Sequence, residues 1–308
     1  MAGHKLSIGF LSVSMLLLST CQESTPISQP VDDPEITAPQ PVIWSVTDED
    51  SEVILYPTFH ILPQNIKWQS PILMAALTRA DEIWYEVPAD TGRDPAFKQQ
   101  TMALGLSPDR PLSSVLPDAT YAKLSNVMRE LGMPENSLDP MRPWMASMAI
   151  PLIQMSKSGY DPELGVESVL QQIVTNKPVR SFETGLQQLQ FLADIPEAEQ
   201  IAMLDATLDD INEGQSMIDS MAKAWATGDL EFLQSEILDE MKAESPEVYN
   251  IMIKKRNQAW LDILVNEMQG AGVDFVAVGA GHLIGEDGLP EQLLQKGYNV
   301  KIITPPSP

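Results

Sequence analysis

The residues best equipped for chemistry are two histidines at opposite ends of the chain. Only three histidines occur in 308 residues, and His4 lies in an N-terminal stretch that reads as a leader. The other two stand in matching settings. Glu52-Val53-Ile54-Leu55-Tyr56-Pro57-Thr58-Phe59 is an apolar run that ends in His60. Asp274-Phe275-Val276-Ala277-Val278 passes through Gly279 and Gly281 into His282. Such apolar runs, the second bounded by glycine on both sides, predict buried strands, and Gly279 and Gly281 predict a tight turn with backbone close to a bound group. The carboxyl end of a strand is where open α/β sheets place their ligands.

Two carboxylates share this placement. Glu86 lies near the end of the predicted strand Asp81–Val87, and Glu183 near the end of Lys177–Thr184. A carboxylate at the end of an apolar strand needs a partner, which can be a metal, an arginine or hydrogen bonds. If these strand ends share one edge of a sheet, two imidazoles and one or two carboxylates converge. That donor set suits a divalent metal ion such as Mn, Co or Zn. His60, His282 and Glu86 are the expected ligands. An ion with an open position would lower the pKa of bound water and polarise a carbonyl, and a carboxylate outside the ligand set could act as general base.

The elements that would hold these groups follow from the pattern of the chain. Pro71–Ala80 carries a helical stripe through Ile72, Leu73, Ala76 and Leu77. Residues 94–174 are mainly helical, with Asp118 placed to cap one helix. After Pro196 one helix is predicted through Ile211, and a second along Met217, Met221 and Trp225. A long helix from Pro246 to Gln269 carries Arg256 and Asn257. Asn257 shares its stripe with Ile253, Trp260 and Leu264, and a polar side chain on an apolar face must be hydrogen-bonded. Arg256 could steady an oxyanion or grip a carboxylate bidentately. The dipole of a helix N-terminus already favours Glu167 where it stands, without any chemistry. A helix from Pro290 to Lys296 and a strand from Tyr298 to Thr304 close the chain.

The N-terminus reads differently. Lys5 precedes an apolar run, Leu6–Leu18, too short to span a bilayer and of signal-peptide length. It ends at Cys21, the single cysteine of the chain, in a lipobox-like setting, so Cys21 is the expected lipidation site. Residues 1–21 are read as the signal peptide and 22–41, rich in Pro, Ser, Thr and Asp, as a disordered tether. Residues 42–308 then form a single domain. The net charge of −24 argues against nucleic acid as a partner. No GxSxG elbow, HExxH, P-loop or dinucleotide fingerprint is present.

Val278-Gly279-Ala280-Gly281-His282-Leu283-Ile284-Gly285-Glu286-Asp287-Gly288-Leu289 closely resembles the closing GxxH motif of the TraB/GumN family, which includes the Tiki proteases. Pro57-Thr58-Phe59-His60 resembles its opening GxxH, with proline in the glycine position. Pro143-Trp144, Gly165-Val166, Glu183-Thr184, Trp225 with Gly228-Asp229, and Arg256-Asn257 resemble further family segments in family order.

The expected fold class is therefore α/β. Its central, mainly parallel or mixed sheet comes from the N- and C-terminal segments, and a long helical middle region covers it. The resemblance implies a metal-dependent hydrolase of peptidase type. Combined with the leader, it implies an exported protein, lipid-anchored to the outer membrane of a bacterial cell envelope, acting on a peptide or small carbonyl substrate. The competing expectation is a non-catalytic ligand- or peptide-binding lipoprotein, favoured by Pro57, which fixes φ and removes a backbone donor.

Overall fold

A computed structural model describes residues 40–88 and 90–304. The predicted leader, with Cys21, and nearly all of the predicted tether lie outside the described residues. Among the described residues no helix is long and apolar enough to cross a membrane.

The fold is α/β, built on a six-stranded mixed sheet in the order β6-β4-β7-β2-β1-β8. Its strands are β1 (Trp44–Thr47), β2 (Ser51–Thr58), β4 (Glu82–Tyr85), β6 (Val179–Ser181), β7 (Gly272–Gly279) and β8 (Asn299–Ile302). β3 (Leu62–Pro63) and β5 (Tyr160–Asp161) form a separate two-stranded ladder. β2, β7, β4 and β6 run parallel to one another, whereas β1 pairs antiparallel with both β2 and β8. The two longest strands, β2 and β7, come from opposite ends of the sequence and lie side by side, Ser51 against Gly272 and Thr58 against Gly279. Both are apolar and buried over their second halves, as expected of parallel strands covered on both faces.

The middle of the chain is helical: α1 (Pro71–Arg79), α2 (Pro95–Gly105), α3 (Asp118–Glu130), α4 (Pro143–Lys157), α5 (Val166–Ile173), α6 (Gly185–Ala193), α7 (Glu197–Thr227) and α8 (Lys255–Glu267), followed near the end by α9 (Leu289–Gln295). One core surrounds the sheet. A second, smaller one forms between α3, α4 and α7 from Leu124, Val127, Ile150, Leu204 and Leu208.

Several expectations need correction. β1 and the β3–β5 ladder were not foreseen. Asp118 does not cap α3: it is the helix's first residue, Pro117 holds the cap position, and no side-chain cap bond forms. The two helices expected after Pro196 are one 31-residue helix, α7. No glycine or proline interrupts residues 212–216 except Gly214, which costs only about 1 kcal/mol in a helix interior. The long helix expected from Pro246 begins with a turn at Pro246–Tyr249 and passes through a π-helical stretch at Asn250–Lys254 before α8.

Candidate active site

Four adjacent parallel strands end on one edge of the sheet, and each is followed within three residues by a group singled out above. β2 ends at Thr58 and leads to His60, β7 ends at Gly279 and leads to His282, β4 ends at Tyr85 before Glu86, and β6 ends at Ser181 before Glu183. All four are buried: His60 is 7 % exposed, His282 0 %, Glu86 2 % and Glu183 8 %. The strand neighbours thus bring together residues that are up to 222 positions apart (282 − 60).

Arg256 stands at the centre of this cluster, 2 % exposed. Its Nε donates to Glu183 Oε1 at 2.9 Å, and its second terminal nitrogen donates to Glu86 Oε2 at 2.7 Å and Glu183 Oε2 at 3.0 Å. The first terminal nitrogen donates to the Met252 carbonyl at 3.1 Å and lies 3.0 Å from His282 Nε2. A guanidinium has five N–H groups, and these partners account for all of them. Arg256 therefore grips carboxylates, the second of the two roles open to it, and has no N–H left over for an oxyanion. Burial weakens its charge, but Glu183 and Glu86 more than restore it, so its pKa is raised. The Met252 carbonyl belongs to the π-helical stretch before α8. Such a stretch shifts the phase of the following helix and recurs at functional sites.

Asn257 fixes His282. Its Nδ2 donates to the backbone carbonyls of His282, at 3.1 Å, and Asp287, at 2.7 Å. That orients its Oδ1 as an acceptor, 2.6 Å from His282 Nδ1. The imidazole proton accordingly sits on Nδ1, and Nε2 accepts from Arg256. Burial, then the charges of Arg256 and His60, hold the His282 pKa well below its ordinary value. Trp260 packs against the ring at 4.3 Å between centroids and donates its indole N–H to Glu183 Oε1 at 2.9 Å. Glu86 Oε1 accepts from the Gly279 N–H at 2.8 Å, and Glu86 Oε2 also accepts from Gln188 Nε2 at 3.1 Å. Burial, opposed by Arg256, leaves the Glu183 pKa raised.

His60 has a different partner. Its Nδ1 lies 2.6 Å from Glu167 Oε1, a close ion-pair contact without regular hydrogen-bond geometry, and its Nε2 is buried with no charged group in contact. Burial alone would lower the His60 pKa, but the charge and hydrogen bonding of Glu167 outweigh it, so the pKa is raised. The Glu167 pKa is lowered in turn: burial pushes it up and His60 pulls it further down. Glu167 lies in the first turn of α5, whose start is tied to the end of β2 by the Val166 N–H bonding the Phe59 carbonyl at 3.1 Å. Gly165 caps α5 directly against the His60 carbonyl, leaving no room for a Cβ. Dipole stabilisation explains a glutamate here without a site, so its pairing with His60 was not expected. The signal available was its place in the Gly165-Val166-Glu167 segment.

The expected turn glycines act more modestly than predicted. Gly279 has an ordinary φ of −51° and leads into a 3-10 turn, Ala280–His282. Neither it nor Gly281 is among the positive-φ glycines, whereas Gly285 is, at 74°. Gly279 contributes its N–H to Glu86. Pro57 raises no obstacle either. It lies in β2 opposite Val278 of β7 and beyond the end of the β1 pairing at Leu55, and its carbonyl accepts from Trp225 Nε1 at 3.0 Å.

The expected metal ligands His60, His282 and Glu86 do not fit a three-donor site in this arrangement. Both nitrogens of His282 are engaged, and the guanidinium of Arg256 lies where an ion on Nε2 would sit. Both oxygens of Glu86 also have partners. Among the described residues, the one trio whose donor atoms lie within 4.8 Å of one another is Glu82, Glu267 and Asp274. It lies at the opposite, amino end of β4 and β7, and Arg180 already bridges Glu82 and Glu267.

The model of the TraB/PrgY/gumN family matches residues 42–302. The chain is 26 % identical over 223 residues to the uncharacterized protein YbaP of Escherichia coli (strain K12), covering 72 % of this chain and 80 % of that protein. The same figures hold for YbaP of Shigella flexneri. No solved structure matches the chain.

Proposed function

The chain belongs to the TraB/PrgY/gumN family, and from that premise we propose that the buried cluster is the active site of a hydrolase in which His60 is the general base. One observation carries this reading: His60 Nδ1 lies at ion-pair distance, 2.6 Å, from Glu167 Oε1, and Nε2 is buried with no partner. A histidine oriented by a carboxylate through Nδ1, with Nε2 free, has the base–orienter geometry of hydrolytic dyads. In the neutral ring the proton on Nδ1 faces Glu167. Nε2 takes a proton from water as the water oxygen attacks the substrate carbonyl carbon. The imidazolium formed is stabilised by Glu167, and Nε2 then returns the proton to the leaving nitrogen or oxygen as the carbonyl–heteroatom bond breaks. Arg256 and Asn257 act one step removed: they hold Glu86, Glu183 and His282 in place. The substrate class is a peptide or another small carbonyl compound, and the leader and Cys21 support an exported, lipid-anchored setting.

A divalent ion is the second reading, and one observation favours it. The cluster buries three carboxylates, Glu86, Glu167 and Glu183, against one arginine and at most one protonated histidine. To ligate an ion, His282 would first have to release Arg256. Pro57, the feature that favours a non-catalytic binding protein, sits within β2 opposite Val278.

The test is hydrolysis of p-nitrophenyl esters and a fluorogenic peptide library, with and without chelator, alongside metal analysis of the purified protein. Loss of turnover in His60→Gln, with chelator-resistant wild-type activity, is the expected result. Full activity of His60→Gln would end the general-base reading. A stoichiometric ion lost in the double variant His60→Ala with His282→Ala would replace it by the metal reading.

A further inference from the structure

Thr58 closes β2 two residues before His60 and is completely buried. Strand alternation puts its side chain on the sheet face that carries Tyr56. The register extends this face sideways, since Tyr56 lies opposite Ala277 and Ala277 opposite Tyr85. The charge of Glu167 reaches the same face: after burial, it is what raises the pKa of Tyr85. On β7 the neighbour of Thr58 is Gly279, which has no side chain to offer its hydroxyl a partner.

Thr58, His60 and Glu167 share an uncommon condition. Thr58 Oγ1, both ring nitrogens of His60 and Glu167 Oε1 are buried without a regular hydrogen bond. Buried polar atoms are nearly always partnered, and exceptions gather where a site works. Burial pushes the Glu167 pKa up, and His60, then the Thr58 hydroxyl, then its own backbone N–H bring it below its ordinary value. The hydroxyl therefore stands beside the carboxylate, on a group that His60 Nδ1 approaches to 2.6 Å. An ionised carboxylate only accepts, and a hydroxyl can turn its proton toward it. Contacts of this kind are often poorly aligned in a resting site and tighten in the substrate complex.

We propose that Thr58 is a positioning residue whose hydroxyl donates to Glu167 and holds that carboxylate against His60 Nδ1. The assignment rests on the hydrolase reading and adds a third member to its base. Thr58 touches no reacting atom; it acts through Glu167. As Nε2 takes the proton from water, positive charge develops on the ring, and the carboxylate must stay in place to stabilise it. A glutamate held from one side only can pivot about its last torsion. A second donor, fixed on the rigid end of β2, removes that freedom.

The experiment follows the Nδ1 proton of His60 by NMR of the full chain with ¹⁵N-labelled histidine, beside turnover of p-nitrophenyl esters. Only three histidines contribute to the spectrum. Wild type should show a downfield Nδ1 proton that His60→Gln removes. Thr58→Val keeps the shape of the side chain and deletes its hydroxyl, so it should shift that proton upfield. It should also lower kcat about tenfold or more, as loss of a hydrogen bond to a charged group does, with KM unchanged. Thr58→Ser restores the hydroxyl without the methyl group and should return both readings to near wild type. If Thr58→Val fails to fold, Thr58→Ala against Thr58→Ser makes the same comparison. A wild type without the downfield proton, or a folded Thr58→Val that keeps the wild-type resonance or the wild-type kcat, overturns the positioning role. So does a Thr58→Ser that behaves like Thr58→Val. If the resonance follows the hydroxyl but wild type turns over no ester, the hydrolase reading falls and the hold of Thr58 on Glu167 stands.

Discussion

His60 Nδ1 and Glu167 Oε1 lie 2.6 Å apart in the interior, on two elements joined by the Phe59–Val166 backbone hydrogen bond. A charge pair this buried holds the imidazole proton in place and raises the ring's proton affinity. A general base must be neutral to act. The rate kcat/KM should therefore rise with pH through the elevated pKa of His60.

Glu167→Gln tests that relationship directly. Removing the carboxylate leaves burial and Arg256, opposed only by the charge of Glu86, to lower the His60 pKa, so the pH–rate profile should move to the acid side. The plateau rate should fall by about 10²–10⁴-fold if the dyad supplies ordinary general-base catalysis. A merely structural glutamate would lower the rate without moving the profile.

Arg256→Met should be among the most destabilising single changes. It leaves Glu86 and Glu183 buried without their cation, a loss of roughly 3–5 kcal/mol for a broken buried pair. Urea denaturation measures it. Arg256→Lys should recover little, because one ammonium cannot reproduce five N–H groups in a planar fork. A wild-type midpoint in Arg256→Met would show that the cluster does not support the fold.

The two histidines should affect stability on opposite sides of about pH 6.5, their ordinary value. His60 has a raised pKa in the folded chain, with Glu167, Glu86 and Arg256 as the charges around it. Its contribution is complete below the unfolded value and is lost as pH rises through the folded one. His282 has a lowered pKa, set by burial, Arg256 and His60. The unfolded chain takes up that proton first, so stability falls as pH drops below the unfolded value. Urea midpoints between pH 5 and 9 should show that His60→Gln removes an alkaline decline and His282→Gln an acid one. If both variants parallel wild type at every pH, neither imidazole carries a shifted pKa.

Gly165→Ala should damage the site without touching a polar group. The added Cβ would collide with the His60 carbonyl, so either α5 or the end of β2 must shift and carry Glu167 away from His60. Activity should fall more than stability. Pro57→Gly, in contrast, should leave activity unchanged, since the proline carbonyl and not its ring makes the recorded contact with Trp225.

The sequence by itself determined where strands end and which residues follow them. Apolar runs closed by glycine or a polar residue are local patterns, so His60, Glu86, Glu183 and His282 could each be placed past a strand without any long-range information. The Asn257 stripe was legible for the same reason: a polar residue amid Ile253, Trp260 and Leu264 on a helix must find a partner. The strands β3 and β5 were not legible, because two residues carry no periodicity, and β1, four residues just after the proline-rich stretch, shows no run long enough to stand out. Only the tertiary structure decided that β7 inserts between β2 and β4, putting four strand ends on one edge. Only it decided how the donors are shared. Which carboxylate meets which cation depends on distances of an ångström between distant segments. Those distances gave Arg256 to Glu86 and Glu183, Asn257 to His282, and Glu167, a residue whose helix position already explained it, to His60.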